Sequence, residues 1–174
     1  TGGVVTANTK SGGNEFSGSF RDNLVNAFWT AQGFLDEPRP SDEITQIYEA
    51  TLGGRIIRDR LWFFTAGRFY EFTSEAPYGT ALVPGSTSVR ETPVLFDRGD
   101  EETRKEIKLT GQVTPRHTLI GSYFDIDRTQ TNNPFQTPLE ESALDSERDL
   151  PNTYYTAQYN GIWSNYFLVE ALYG

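Results

Sequence analysis

The sequence predicts an all-β protein, an antiparallel meander of about seven strands that forms part of a transmembrane β-barrel. Three observations support this fold class. Several segments of roughly 9 to 12 residues alternate apolar with polar side chains, which is the length of a strand that crosses a bilayer at a tilt. The connections between these segments alternate between long and short. Aromatic residues make up 14% of the chain, and most of them are Tyr and Phe.

Each strand is delimited by a two-residue alternation and by turn-forming residues at its ends. In one example, Phe63 and Phe69 lie on the side opposite Arg68, because successive side chains of a strand point to opposite faces. The predicted strands are 15–23, 45–57, 61–71, 102–113, 118–128, 153–163 and 166–174.

The connections fall into two classes. The long ones are 24–43, 72–101 and 129–151, and the short ones are 58–60, 114–117 and 164–165. A barrel of the outer membrane sorts its connections in this way, because one rim carries short periplasmic turns and the other carries longer extracellular loops. A soluble sandwich has no physical reason to do so, since both of its ends face water. We therefore expect the long loops outside the cell and the short turns in the periplasm.

The net charge of −9 is concentrated in three stretches. Residues 36–43, 97–106 and 140–149 carry −3, −2 and −4, which together account for the whole net charge. We assign all three stretches to the long loops. An acidic chain argues against nucleic acid as a partner. The absence of Cys excludes disulfides, thiol nucleophiles and cysteine-bound metals.

The predicted sheet has two chemically different faces. The apolar side of the strands is expected to face lipid, and it carries Phe63, Phe69, Leu109, Phe124, Tyr159 and Val169. The other side is charged, which a packed dry core would not tolerate, so it is expected to line a wet or plugged lumen. The lumen-facing candidates for ligand binding are Arg68, Lys108, Asp125 and Asp127.

Aromatic residues recur at the strand ends, as in the girdles at membrane interfaces. They are Trp62, Phe64, Tyr70, Phe72, Tyr123, Tyr154, Trp163 and Tyr166. The alternative explanation is that aromatic residues are simply favourable in strands.

Two segments resemble a known family. Residues 2–19, GGVVTANTKSGGNEFSGS, are similar to the junction between plug and barrel in TonB-dependent outer-membrane receptors. Residues 52–64, LGGRIIRDRLWFF, are similar to the second strand, turn and third strand of the same receptors, although Arg55 replaces the expected proline. The similarity is strongest to the Oar-like branch and extends to about Tyr70.

The resemblance implies a division of the chain. Residues 1–14 would be the end of the plug domain and the plug-to-barrel joint, and residues 15–174 would be the N-terminal part of the barrel. Gly12, Gly13 and Asn14 supply the backbone freedom for the change of direction. Because the chain begins at Thr1, contains no Met and ends in a strand without a cap, we expect it to be a piece of a longer protein.

The resemblance also implies a function, namely TonB-energised uptake of a scarce extracellular ligand through the outer membrane of a Gram-negative-type bacterium. The implied partners are membrane lipid, lipopolysaccharide, the ligand and the TonB complex, which would contact a segment outside this chain. A passive porin or an adhesin would also display acidic loops, although the plug-like segment favours uptake. A soluble all-β binding domain is the third alternative, and the sorted loops argue against it.

No residue pattern indicates catalysis, a cofactor or a metal site. His117, the one histidine, is interpreted as a solvated turn residue. Asp97–Glu102 is the best candidate for Ca²⁺, but its spacing does not fit an EF-hand loop, and a solvated loop surface is the preferred interpretation. Asp125 and Asp127 are interpreted as lumen-lining carboxylates rather than a glycosidase pair. We therefore predict that the protein is not an enzyme.

Overall fold

The computed structural model describes residues 10–29, 42–77, 95–133 and 144–174. Every strand in these ranges belongs to one antiparallel sheet of 8 strands. The strands are β1 (Ser17–Val25), β2 (Thr45–Ile57), β3 (Leu61–Pro77), β4 (Leu95–Thr114), β5 (His117–Asn133), β6 (Asp145–Asp149), β7 (Asn152–Ser164) and β8 (Phe167–Tyr173). A 3₁₀ turn at Ala27–Trp29 follows β1. Among the described residues, none of the helical segments has the length and apolar character required to cross a bilayer.

The sheet is a meander. Its order is β1-β2-β3-β4-β5-β7-β8, and β6 pairs with β5 beside this path. Every strand pair within the described ranges is antiparallel. The predicted antiparallel meander is therefore confirmed, and the sheet is open, with β1 and β8 at its edges.

The strands near the long connections are longer than predicted. Residues 72–77 and 95–101 continue β3 and β4, residues 129–133 continue β5, and β6 forms in a stretch assigned to a loop. The paired backbones of β3 and β4 keep bonding as far as Pro77 and Leu95. Polar side chains occur on both faces there, with few apolar residues between them. The apolar–polar alternation that marks a strand is therefore lost, although the hydrogen bonds between the strands continue. The remaining parts of the predicted loops, 30–41, 78–94 and 134–143, lie outside the described residues, as do residues 1–9.

Two strands, β6 and β7, pair with the same edge of β5. β6 pairs with Thr129–Asn133, and β7 pairs with the part of β5 nearer its start. The break falls at Leu150 and Pro151, where proline has no N–H to donate to the ladder. The Leu150 amide still donates to the Arg128 carbonyl oxygen at 2.8 Å, so hydrogen bonding to β5 continues between β6 and β7.

Cross-strand register sorts the side chains onto two faces, because residues directly opposite each other share a face. We call one the polar face, which carries the row Glu49, Arg68 and Arg104. We call the other the apolar face, which carries the row Phe63, Leu109, Gly121 and Ala157. This division confirms the two chemically different faces that the sequence predicts.

The polar face is the more buried of the two. Lys108 is 8% exposed and Glu102 is 5% exposed, whereas Leu109 and Leu119 on the apolar face are 44% and 50% exposed. A soluble domain buries its apolar face instead. This inverted distribution is the one expected for a sheet whose apolar side faces lipid.

Five of the six residues predicted to face lipid share the apolar face. The prediction was wrong for Phe124, which pairs with Glu106 and lies on the polar face. β5 carries apolar side chains on both sides, with Leu119 and Tyr123 on one and Ile120 and Phe124 on the other. Alternation within the strand alone therefore did not distinguish its two faces.

The strand-end aromatic residues also divide between the faces. On the polar face lie Trp62, Phe64, Tyr70, Phe72 and Tyr154. The interpretation as girdles at the membrane interfaces was therefore wrong for these five residues. Tyr123 and Trp163 lie on the apolar face, and Tyr166 is 99% exposed beyond the end of β7. Aromatic rings on the polar face have a different role, since the Arg68 guanidinium lies 5.0 Å from the centre of the Tyr70 ring.

Candidate functional site

A ladder of ion pairs crosses β1 to β4 on the polar face. Glu49 lies between Arg21, at 3.5 Å, and Arg68, at 3.7 Å. Glu102 lies between Arg68, at 3.6 Å, and Arg104, at 2.8 Å. Three guanidinium groups against two carboxylates leave one net positive charge. We call these five residues the arginine ladder.

Strand register positions the ladder. Arg21, Glu49, Arg68 and Arg104 are directly opposite one another on four successive strands, and Glu102 is one polar-face position away from Arg104. The Glu102 carboxylate is almost fully buried, and a charge in that position is tolerated because two guanidinium groups compensate it.

A groove of about 270 Å³ lies along the ladder and reaches back to Lys10. Its other walls include Thr51, Ala66 and Phe124. In the part of the chain that the structure describes, the Nε atoms of Arg68 and Arg104 are buried without a hydrogen-bond partner. The groove is lined by the cations Lys10, Arg21, Arg68 and Arg104 and by two carboxylates, Glu49 and Glu106. This excess of positive charge is suited to an anionic group.

A second polar cluster lies near the long-loop ends of the strands. Arg128 donates to both carboxylate oxygens of Asp100, from Nε at 2.8 Å and also from Nη2. Gln130 donates to the same carboxylate at 3.2 Å, and the Tyr70 hydroxyl lies at 3.4 Å. Asp100 lies beyond the roughly 9 to 11 residues with which β4 would cross a bilayer. The hydrogen bonds from Arg128 hold the pKa of Asp100 below its usual range, against the opposing effect of burial.

The four candidate site residues do not share a face. Arg68 belongs to the arginine ladder, and Lys108 lies on the same polar face, opposite Phe64. Asp125 and Asp127 lie on the apolar face, where Asp125 accepts a hydrogen bond from the Thr153 hydroxyl at 2.9 Å. Grouping these two carboxylates with the lumen-facing residues was therefore wrong, for the same reason that Phe124 was misplaced.

Most of the ladder was missed by sequence analysis. A local signal was present in β4, where Asp100, Glu102, Arg104, Glu106 and Lys108 occupy every second position. In a strand this spacing places five charged side chains on one face. Its partners on β1 and β2 are distant in sequence, so only the register brings them into contact.

The acidic stretch 97–102 does not form the predicted solvated loop. It is part of β4, and its acids alternate between faces, so that Asp100 and Glu102 are paired with arginines while Glu101 is exposed on the other side. No group of three or more His, Cys, Asp or Glu residues within the described ranges is arranged to hold a metal ion.

The segment before β1 is attached to the short turn between β2 and β3. The Asn14 side-chain oxygen accepts hydrogen bonds from Trp62 Nε1 at 2.9 Å and from the Asp59 amide at 3.0 Å. The Asn14 side-chain nitrogen donates to the Asp59 carboxylate. Arg55 donates to the Asn14 carbonyl oxygen at 2.6 Å. We call this set of contacts the Asn14 clasp.

Gly12 brings the same segment close to the sheet. A Cβ at Gly12 would come within 2.0 Å of the Phe63 carbonyl oxygen, so a larger residue would force the chain away. Gly12 also lies against Gly53, which is on the polar face, and Lys10 lines the groove beside the arginine ladder. Residues 10–13 therefore run along the polar face before the chain rounds the short-turn end and enters β1.

His117 is not a solvated turn residue. It is the first residue of β5 and is partly buried. Its Nδ1 atom lies 2.6 Å from the Tyr159 hydroxyl, and its ring makes an edge contact with Trp163 at 5.4 Å. The turn was predicted to include His117, but pairing of Thr114 with His117 makes the turn shorter.

Comparison with known proteins supports the assignment of the sheet. Residues 8–92 match the model of a family described as an outer membrane beta barrel domain. The chain is 44% identical over 86 residues to the TonB-dependent transporter Oar of Myxococcus xanthus, an alignment that covers 42% of this chain and 7% of that protein. No solved structure matches. The matched region contains the Asn14 clasp and the β1 to β3 part of the ladder.

Proposed function

Because the chain is part of an outer-membrane β-barrel and resembles an Oar-like TonB-dependent receptor, we propose that the full-length protein imports a scarce extracellular ligand with energy from TonB. In this proposal residues 1–14 are the end of a plug domain and its joint, and residues 15–174 are the first part of the barrel. The chain spans about 7% of the length of the relative that it matches, so the activity of the whole protein is inferred from a small part of it.

The path of residues 10–13 is the observation that carries the proposal. These residues lie along the polar face. The Asn14 clasp then attaches the chain to the short turn between β2 and β3, just before β1 begins. A chain that arrives from the polar side of a barrel sheet has come from the lumen. A passive porin needs no such segment, whereas a plugged transporter requires one.

The arginine ladder supports a role in binding rather than in catalysis. Its carboxylates are engaged by guanidinium groups, so none is available as a general acid or base. The excess of cations over carboxylates along the groove, four against two, favours an anionic group there. We propose that this group is supplied by the imported ligand or by the plug, and that the protein is not an enzyme.

A permeability measurement tests the plugged barrel. The full-length protein in liposomes is expected to exclude a small neutral sugar, and deletion of the chain from its mature start to residue 9 is expected to allow the sugar to enter. If the intact protein already admits the sugar, the passive porin is the correct function. Binding of the purified periplasmic domain of TonB to the full-length protein tests the energy source separately, and absence of binding would contradict it.

A further inference from the structure

The apolar face contains a groove that leads to the short-turn end of the sheet. It has a volume of about 530 Å³ and is lined by Leu61, Leu109, Leu119, Tyr159, Tyr173 and Gly121. Two adjacent cross-strand rows form it, one through Leu119 and Tyr159 and the other through Leu109 and Gly121. The groove is therefore a depression in the surface that the barrel turns toward lipid.

Gly121 leaves the floor of the groove open. A Cβ at this position would meet no atom within 4 Å, so the space above Gly121 is not filled by a neighbouring side chain. Leu109 and Leu119 beside it are about half exposed. An apolar chain that entered this space would be covered on several sides, unlike one lying on a flat strand surface.

Tyr159, which lines the groove, connects it to His117, the next residue on this face toward the short-turn end. The Tyr159 hydroxyl reaches over Gly161 to His117 Nδ1, and a side chain at Gly161 would collide with both. When Tyr159 donates to Nδ1, the imidazole proton is on Nε2. The Nε2–H has no partner among the described residues and is a donor at the end of an apolar groove.

The charge of the short turns indicates what this donor binds. The described short turns contain the cations Arg58, Arg60 and Arg116 and one acid, Asp59, which lies 3.8 Å from Arg58, so two positive charges remain in excess. Arg116 is exposed and directly precedes His117. The short-turn end is therefore positive on a chain whose net charge is −9, which is complementary to phosphate.

We propose that this groove binds one phospholipid, with an acyl chain over Gly121 and the headgroup phosphate at His117 Nε2 and Arg116. The inference rests on the proposed membrane orientation of the apolar face and short turns. It assigns His117, Tyr159 and Gly121 a role that transport alone does not require. Trp163 packs against the edge of His117 and holds the imidazole at the membrane interface.

Native mass spectrometry of the detergent-purified full-length protein tests the site with palmitoyl-oleoyl phosphatidylglycerol and with the matching diacylglycerol, which lacks phosphate. We expect one phosphatidylglycerol to remain bound at a collision energy that removes the other lipid and detergent molecules. Diacylglycerol should not be retained at that energy. Equal retention of the two lipids would overturn the role of the phosphate.

Two matched pairs of variants locate the lipid. Gly121→Leu fills the groove and is expected to abolish retention, whereas Gly67→Leu, on the same face outside the groove, is expected to leave it unchanged. Tyr159→Phe is expected to weaken binding several-fold and His117→Ala about tenfold, with Tyr155→Phe as the control on the same strand and face. Unchanged strand circular dichroism shows that each variant is folded.

Two results would reject the site: retention by folded Gly121→Leu, or equal weakening by Tyr155→Phe and Tyr159→Phe. Failure of the plug-deletion experiment would reject the uptake function and leave the lipid result intact. Conversely, loss of the lipid site would leave the permeability result unchanged. The uptake function and the lipid site are therefore tested by different measurements, and either can be rejected without the other.

Discussion

Asn14 Oδ1 accepts a hydrogen bond from Trp62 Nε1 at 2.9 Å, although the two residues are 48 positions apart. The same oxygen accepts from the Asp59 amide in the turn between β2 and β3. The segment leading into β1 is thereby fixed to the neighbouring hairpin and not only to the strand that it enters.

Replacing Asn14 is expected to release this segment. Asn14→Ala removes the acceptor for Trp62 and for the Asp59 amide, and the loss should cost about 1 kcal/mol of unfolding free energy because water reaches the site. A cysteine introduced by Ser11→Cys should then react faster with a maleimide. Asn152→Ala, at the exposed start of β7, is the control, and an equal rate in the two backgrounds would contradict the clasp.

The buried carboxylate of the arginine ladder is expected to stabilise the sheet. Glu102→Gln removes the carboxylate between Arg68 and Arg104, which leaves Arg68 with Glu49 as its ion-pair partner and takes from Arg104 the partner at 2.8 Å. Because both arginines are about one-third exposed, the cost should be below the roughly 3–5 kcal/mol of a fully buried pair, at about 1–3 kcal/mol. Urea unfolding of the full-length protein in lipid vesicles measures it. Glu101→Gln, the exposed neighbour on the other face, should change stability by less than about 0.5 kcal/mol.

Two consecutive residues of β5 provide a direct test of the faces. Tyr123→Arg places a charge on the apolar face and should destabilise the folded protein by about 2–4 kcal/mol if that face meets lipid near the bilayer midplane. Phe124→Arg places the same charge on the polar face and should cost much less. Unfolding in vesicles compares them. Equal costs, or the reverse order, would show that the polar face does not line the lumen.

Cysteine labelling tests the sidedness of the barrel. Single cysteines at Ser41, Ser86 or Ser142, which lie outside the described residues, should react with an impermeant maleimide on intact cells carrying the full-length protein. A cysteine at Ser164, at the end of β7, should react only after the outer membrane is breached. The opposite pattern would reverse the orientation and remove the basis for a plug at residues 1–14.

The isolated chain should not be a soluble monomer. Its apolar face carries exposed side chains such as Phe20 at 71% and Phe167 at 60%, and both sheet edges are free to pair with other chains. We expect expression of residues 1–174 alone to give aggregates that dissolve only in detergent or denaturant. A monodisperse monomer in buffer, measured by light scattering, would favour the soluble all-β alternative.

The strands were predictable because their signals are local. The alternation in β2 marked its start and end correctly, and the short turn at residues 58–60 separated it from β3. The ends of β3, β4 and β5 were not predictable in this way. Beyond the bilayer-length portion, polar side chains occupy both faces, and the strand continues only because its neighbour supplies hydrogen bonds.

The candidate site was only partly predictable. Arg68 and Lys108 were correctly placed on one face from the alternation of their own strands. The pairing of Arg21 with Glu49, and of Arg68 with Glu102, depends on which strands are neighbours and on their register in the assembled sheet. The Asn14 clasp was anticipated only as a flexible joint, since sequence shows the glycines but not the turn that receives the asparagine.

The sequence by itself determined that the chain forms an antiparallel meander with sorted loops, because residue alternation and turn chemistry act over a few neighbouring positions. Only the tertiary structure decided the face taken by Phe124, Asp125 and Asp127. The physical reason is that a shift of one residue in register transfers every side chain of a strand to the opposite face. In β5, where apolar residues lie on both sides, the hydrogen-bonded pairing with β4 makes that choice.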